Sequence, residues 1–287
     1  MMRGAIIAAT AALGLAACGS TGGSNAARGS GFSAAATGSY ISIEQAAVFA
    51  KQIERDLGAK GARLAIVFRA GESRDQLREG IAYSHGAFWV YSPITLEDGR
   101  TATGYAVYNL YRGDGKTLPM DKSYLHQDFP IDFIAPTGVD DVGIIIPSPE
   151  MQRRILAIMD SPTYRALHIV PYSVVSNPHN AKYQNCTEFM LDVVASAVWN
   201  TTDMRQIKTN LTAHFKPTVV QTSGLERMFA PMADASIKTD DQNGEIVTTT
   251  FESMSDFMEA NSLVQETYVL QRDKSADPPP ASAKQTN

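Results

Sequence analysis

The sequence predicts an α+β fold. Three observations point there: the strand-like segments are grouped rather than strictly alternating with helices, the helical segments carry apolar residues at helical spacing, and no internal repeat is present. With 287 residues, 44% hydrophobic and 19% charged, the chain suits one large domain or two small ones. Its net charge of -5 offers phosphate backbones no long-range attraction, which argues against nucleic-acid binding.

Ser42 with Gln45 forms a capping box, and Ile43, Ala46, Ala47, Ala50, Ile53 and Leu57 follow at helical spacing until Gly58 or Gly61 stops the helix. Leu64 to Phe68 reads as a short apolar strand. Ser84 to Tyr91 reads as an aromatic-rich strand, and Tyr105 to Tyr111 as its successor beyond the turn residues Glu97-Asp98-Gly99. Val142 to Ile146 is a third apolar run. Ser148-Pro149-Glu150 then opens a helix with Pro in its first position. Ile169 to Val175 reads as a strand. After a polar loop, Asn185-Cys186-Thr187-Glu188 opens a helix with Phe189, Met190, Val193, Val194, Ala197 and Val198 along it. Beyond Trp199 the pattern predicts two more amphipathic helices, an Asn243-Gly244 hairpin, a helix capped by Ser253 with Asp256, and a strand from Thr267 to Leu270.

The N-terminus has its own logic. Arg3 precedes 13 apolar or small residues, Ala5 to Ala17, too few for a span and right for a secretory signal peptide. Leu15-Ala16-Ala17-Cys18 resembles a bacterial lipobox, in which Cys18 takes the lipid and becomes the first mature residue. The alternative is cleavage elsewhere, with Cys18 lost. Gly19, where an Asp would resemble an inner-membrane retention signal, favours the outer membrane facing the periplasm. The expected organisation is a signal peptide over residues 1–17 and a lipid-anchored flexible tether over 18–39. A main domain over 40–200 follows, then a C-terminal extension on the same body over 201–273 and a polar disordered tail over 274–287.

Several chemistries lose support at once. There is no His-Glu-x-x-His, no phosphate-binding Gly-x-x-x-x-Gly-Lys, no Gly-x-Gly-x-x-Gly and no Gly-x-Ser-x-Gly, and the five His show no metal-ligand spacing. No cofactor and no metal are expected. The positive signal is Cys186, first inside its helix after the Asn185 cap. Exposed amides there stabilise a thiolate and lower the thiol pKa. Either the thiol is used as a nucleophile, or it is a small buried side chain at a helix start. A nucleophile needs a base oriented by a third group. His85 is the candidate base, although a His on a strand is often structural; His179 sits in a loop that reads as turn chemistry.

Tyr83-Ser84-His85-Gly86, followed about a hundred residues on by Tyr183-Gln184-Asn185-Cys186-Thr187-Glu188-Phe189, resembles an uncharacterised proteobacterial lipoprotein family, domain of unknown function 2145. That family is similar to a circularly permuted branch of the NlpC-type, papain-like thiol peptidase superfamily. The likeness covers about residues 60–200 and implies an antiparallel sheet with the Cys helix packed against it. It also implies an order of His strand, strand with a third polar residue, then Cys helix, which His85, Asn109 and Cys186 follow. One register of the two strands sets His85 directly opposite Asn109; a tighter turn at Asp98-Gly99 sets it opposite Arg112 instead. Gln184 is a candidate oxyanion donor by proximity, and the Cys186 amide is another.

Two functions follow as expectations. One is an envelope thiol hydrolase or acyltransferase, in which Cys186 attacks an amide or ester of a cell-wall peptide or acyl lipid while His85 carries the proton. The other is a catalytically inactive lipoprotein that keeps the fold as a binding or scaffolding module. A redox role has no Cys-x-x-Cys to support it.

Overall fold

A computed structural model describes residues 41–95, 98–222 and 234–278. The first helix, α1 (Ile43–Ala59), is set by its cap: Gln45 N donates to Ser42 Oγ at 3.2 Å and Ser42 N donates back to Gln45 Oε1 at 3.0 Å. Gly61, at φ +68°, lets the chain reverse into the sheet.

Eight strands follow in chain order: β1 (Leu64–Arg69), β2 (His85–Thr95), β3 (Thr101–Arg112), β4 (Ser123–Asp128), β5 (Asp141–Pro147), β6 (Thr218–Val219), β7 (Val247–Thr248) and β8 (Val264–Gln271). Six form one antiparallel sheet in the order β4-β3-β2-β1-β5-β8, and β6 pairs with β7 alone. β1 is buried on both sides, which is why it reads as an unbroken apolar run rather than as an alternation.

Helices cover both faces of the sheet. On one lie α1 and α2 (Pro130–Ile134), packed on Ala65, Val67, Ala87, Trp89, Val107 and Ile144. On the other lie α3 (Pro149–Met159), α4 (Pro162–Ala166), α5 (Cys186–Trp199), α6 (Met204–His214) and α7 (Phe251–Ala260), packed on Ile66, Phe68, Phe88, Val90 and Ile145. The result is a mixed α+β body with seven α-helices among the described residues. α5 is buried over nearly its whole circumference, between the sheet, α3 and α6. Each large apolar side chain so enclosed contributes about 1.5–3 kcal/mol.

The structure departs from the sequence reading at identifiable places. Residues 169–175 do not form a strand. Pro171 has no N–H, and the neighbouring backbone groups go to scattered partners, with Ser123 N on Val170 O and Tyr172 N on Asp121 O. The Asn243-Gly244 hairpin is absent: β7 pairs with the distant β6, while the Gln242 side chain bonds both backbone groups of Val247. α7 starts earlier than expected, with Thr250 as its N-cap and Ser253 at the reciprocal position of the box. β4 and α2 were not anticipated, one being a polar edge strand and the other only five residues long. Residues 274–278, assigned to the tail on composition, are held by Arg272 with Asp277 and by Lys274 with Asp140. Of the two amphipathic helices expected after Trp199, α6 is one, and residues 223–233 lie outside the described residues. So do the signal peptide, Cys18 and the tether. No described helix is long and apolar enough to cross a membrane.

α5 approaches the sheet closely at Gly86. A Cβ there would lie 2.9 Å from Phe68 Cδ1 and closer still to Met190 Cε. Gly86→Ala is therefore expected to destabilise the protein by about 1–3 kcal/mol in denaturant unfolding, and adding Met190→Ala to recover part of that loss.

Candidate functional site

Cys186 occupies the first position of α5, as its flanking residues predict. Asn185 is the N-cap, its Oδ1 accepting from Glu188 N at 2.8 Å. The sulfur-bearing residue is 2% exposed and lines a small cleft with a volume of about 30 Å³, enough for a water or two. The cleft is lined by the hydroxyl-bearing residues Tyr83, Ser84, Tyr172, Thr187, Thr248, Thr249 and Thr250 together with Ile81 and Val174. The start of α7 is tied to the same place: Thr187 Oγ1 donates to Thr249 O at 2.8 Å, and Asn185 Nδ2 donates to Thr248 Oγ1 at 3.2 Å. Two helix N-termini thus converge beside Cys186, a feature the sequence could show only as two separate caps.

His85 lies elsewhere. Successive side chains of a strand point to opposite faces. On β2, Gly86, Phe88 and Val90 meet the α5 side, whereas Ala87 and Trp89 meet the α1 side. His85 follows the second set. Its ring stacks on Tyr111 at 5.2 Å between centroids and lies 5.6 Å from Phe133 of α2. Ser84 and Tyr83, not His85, line the cleft. The sheet therefore stands between the imidazole and Cys186.

Asn109 is brought to His85, but by neither anticipated register. Phe88 stands opposite Tyr108, so the same pairing carried along the strand sets Tyr111 across from His85, with Asn109 as a diagonal neighbour on the same face. His85 Nε2–H donates to Asn109 Oδ1 at 3.0 Å, while Asn109 Nδ2 donates to Asp128 Oδ2 at 3.0 Å, which fixes both the amide orientation and the tautomer. Tyr111 also donates to Asp128, and the half-exposed His126 lies 3.0 Å from its other oxygen. Burial raises the Asp128 carboxyl above its ordinary range. Burial first, then the nearby Arg69 guanidinium, hold the His85 pKa well below 6.5, against the opposing pull of Asn109. The result is a neutral, fully buried imidazole in a polar row running across the sheet.

Gln184 is also placed differently from expectation. Its amide donates to Leu167 O and Asp192 Oδ2 and accepts from Ile169 N, so it pins a loop to α5 and does not line the cleft. Asp192 belongs to a cluster that the sequence reading missed. Lys208 Nζ reaches Glu188 Oε1 at 2.6 Å and Asp192 Oδ1 at 2.7 Å, all three residues being buried. The available signal was two carboxylates four residues apart on an otherwise apolar helix, which require a buried cation. Two carboxylates share one ammonium. Burial pushes Glu188 up to about 8, with Lys208 opposing and Asp192 adding to the rise. Among the described residues, no group of three or more His, Cys, Asp or Glu could hold a metal. A larger groove of about 210 Å³ between α1 and the C-terminal turn includes Gln52, Arg55 and Asp273 and brings no nucleophile with it.

Fold and site together define a mixed α+β protein with a cysteine at the head of a buried helix. The chain belongs to a bacterial family, DUF2145, described as an uncharacterised protein conserved in bacteria, whose model matches residues 56–258. No curated protein and no solved structure matches it.

Glu188 gives this region a measurable pH dependence. Its folded pKa is raised above the unfolded value, so the stability it permits is fully present below about 4.5 and is lost as pH rises through about 8. Glu188→Gln is expected to flatten that decline. Its advantage over the native protein should grow by on the order of 2–4 kcal/mol between pH 5 and 9, measured by urea unfolding.

Proposed function

We propose that this protein is an envelope lipoprotein whose body acts as a non-catalytic binding module, with the Cys186 cleft as its binding site. One observation carries the reading: Cys186 and His85 occupy opposite faces of the sheet. Proton transfer between sulfur and imidazole needs about 3 Å, directly or through one water, and a packed sheet supplies no such path. The Ala5–Ala17 run and the Leu15-Ala16-Ala17-Cys18 sequence support a lipid anchor at Cys18, and Gly19 supports the outer membrane.

The second reading is a thiol hydrolase or acyltransferase acting on a cell-wall peptide or an acyl lipid. Its support is the position of Cys186 in the first turn of α5, where helix amides favour an anionic sulfur. The two readings divide on one measurement, the rate of Cys186 alkylation against pH in the native protein and in His85→Ala and His85→Gln. A binding module is expected to give profiles within about twofold of each other, since the imidazole does not contact the thiol. A reactive thiol that slows in both variants, with their melting temperatures unchanged, overturns the binding reading in favour of the enzyme.

A further inference from the structure

The loop between β1 and β2 supplies one wall of the Cys186 cleft, and its two ends meet. Gly71 N donates to Ser84 Oγ at 2.8 Å, and Ser84 N donates to Arg69 O at 3.0 Å. Glu72 belongs to the same neck, so close to Gly138 that a Cβ added to that glycine would lie 2.6 Å from the Glu72 backbone. Residues 73–82 therefore form a compact surface loop on a closed base. Arg74, Asp75, Gln76, Arg78, Glu79 and Gly80 are exposed, and Leu77 and Ala82 rest half-buried on the core. Gly80, at φ +80°, turns the chain, and Ile81 beyond it lines the cleft. The facing walls are bonded to one another instead, Thr187 to Thr249 O and Asn185 to both Thr248 and Val174 O.

The loop is fastened to the body at Asp141, the first residue of β5. Arg74 Nη2 and Tyr83 OH both donate to Asp141 Oδ1, while Arg74 Nη1 donates to Ala82 O across the loop. We propose that residues 73–82 are a strap over the Cys186 cleft, latched by the Arg74–Asp141 ion pair, and that release of this latch lifts Ile81 away to admit a ligand. The strap controls entry to the cleft that the binding reading assigns, and it rests on that reading. Size requires such a motion, because the closed cleft holds only a water or two and leaves Cys186 2% exposed. Energetics permit it: the Arg74 side chain is 43% exposed, and an ion pair this open to water is worth little. Tyr83 stays behind as the pivot. Its ring stands edge-on to Phe251 at 5.3 Å and lies against Gly143, where an added Cβ would be 2.7 Å away.

The test is the rate at which iodoacetamide alkylates Cys186 in the full-length chain, followed at that residue by peptide mass spectrometry. A buried thiol reacts from an opened state, so its rate follows the opening equilibrium. Asp141→Asn, which keeps an acceptor for Tyr83, and Arg74→Gln are each expected to speed alkylation about two- to fivefold, the loss of one partly exposed ion pair, with melting temperatures unchanged. The double variant should go no faster than the quicker single one, because both break the same latch. Glu150→Gln, which removes exposed ion pairs on α3, should leave the rate as it is. Unchanged rates in the latch variants, effects that multiply in the double variant, or an equal rise in Glu150→Gln overturns the proposal. Should the latch variants not fold, salt decides in the native chain: screening the ion pair should speed alkylation by this neutral reagent, and a rate indifferent to salt overturns the strap. A latch-sensitive thiol that also depends on His85 keeps the strap and removes the binding-module reading. A latch-insensitive thiol independent of His85 does the reverse.

Discussion

The geometry of the molecule depends on the two-residue period of β2. Neighbouring side chains on a strand cannot share a face, so Ser84 and Gly86 serve the α5 side while His85 serves the α2 side. A one-residue slip would exchange them. What prevents the slip is steric as well as hydrophobic. α5 lies so near the sheet at position 86 that an added Cβ has no room, and an imidazole in that position would have far less. Trp89 and Phe88 lock the same choice further along, each filling the core of its own layer.

The two layers handle buried polarity differently. Beneath α2, His85, Asn109, Tyr111 and Asp128 form a chain of hydrogen bonds in which the imidazole stays neutral and a half-exposed His126 touches the last carboxylate. Beneath α5, charge itself is buried: one ammonium lies between two carboxylates, with Gln184 completing the coordination of Asp192. Such a triad holds α6 to α5 with strict geometry, because removing Lys208 leaves two buried carboxylates without a counter-charge. Together they rigidify both sides of the sheet around residues that a reading by residue type alone assigns to one reaction centre.

Local signals carried much of this architecture. The capping box at Ser42, the Pro149 start and the Asn185 cap each involve residues three or four apart, and they placed the starts of α1, α3 and α5 to the residue. The apolar runs of β1, β2, β3 and β5 were equally readable. Residues 169–175 misled because apolar content alone does not supply a partner strand, and Gln242 stood in for a hairpin strand that composition suggested. At the site, the position of Cys186 was legible, and so was Asn109 as one of two candidate partners for His85, Arg112 being the other. The face each occupies was not, because it depends on register and on which helices cover which side. Lys208 was invisible for the same reason: its role exists only where α6 crosses α5.

At the opposite side of the sheet from the cleft, Gln45 at the start of α1 bonds Asp277 at 3.2 Å, and Gln52 bonds both Gln271 and Asp273. The two ends of the folded body therefore emerge at one corner. Affinity tags, fluorophores or surface-coupling linkers joined before residue 41 or after residue 278 would start from that shared corner, on the layer that does not carry Cys186.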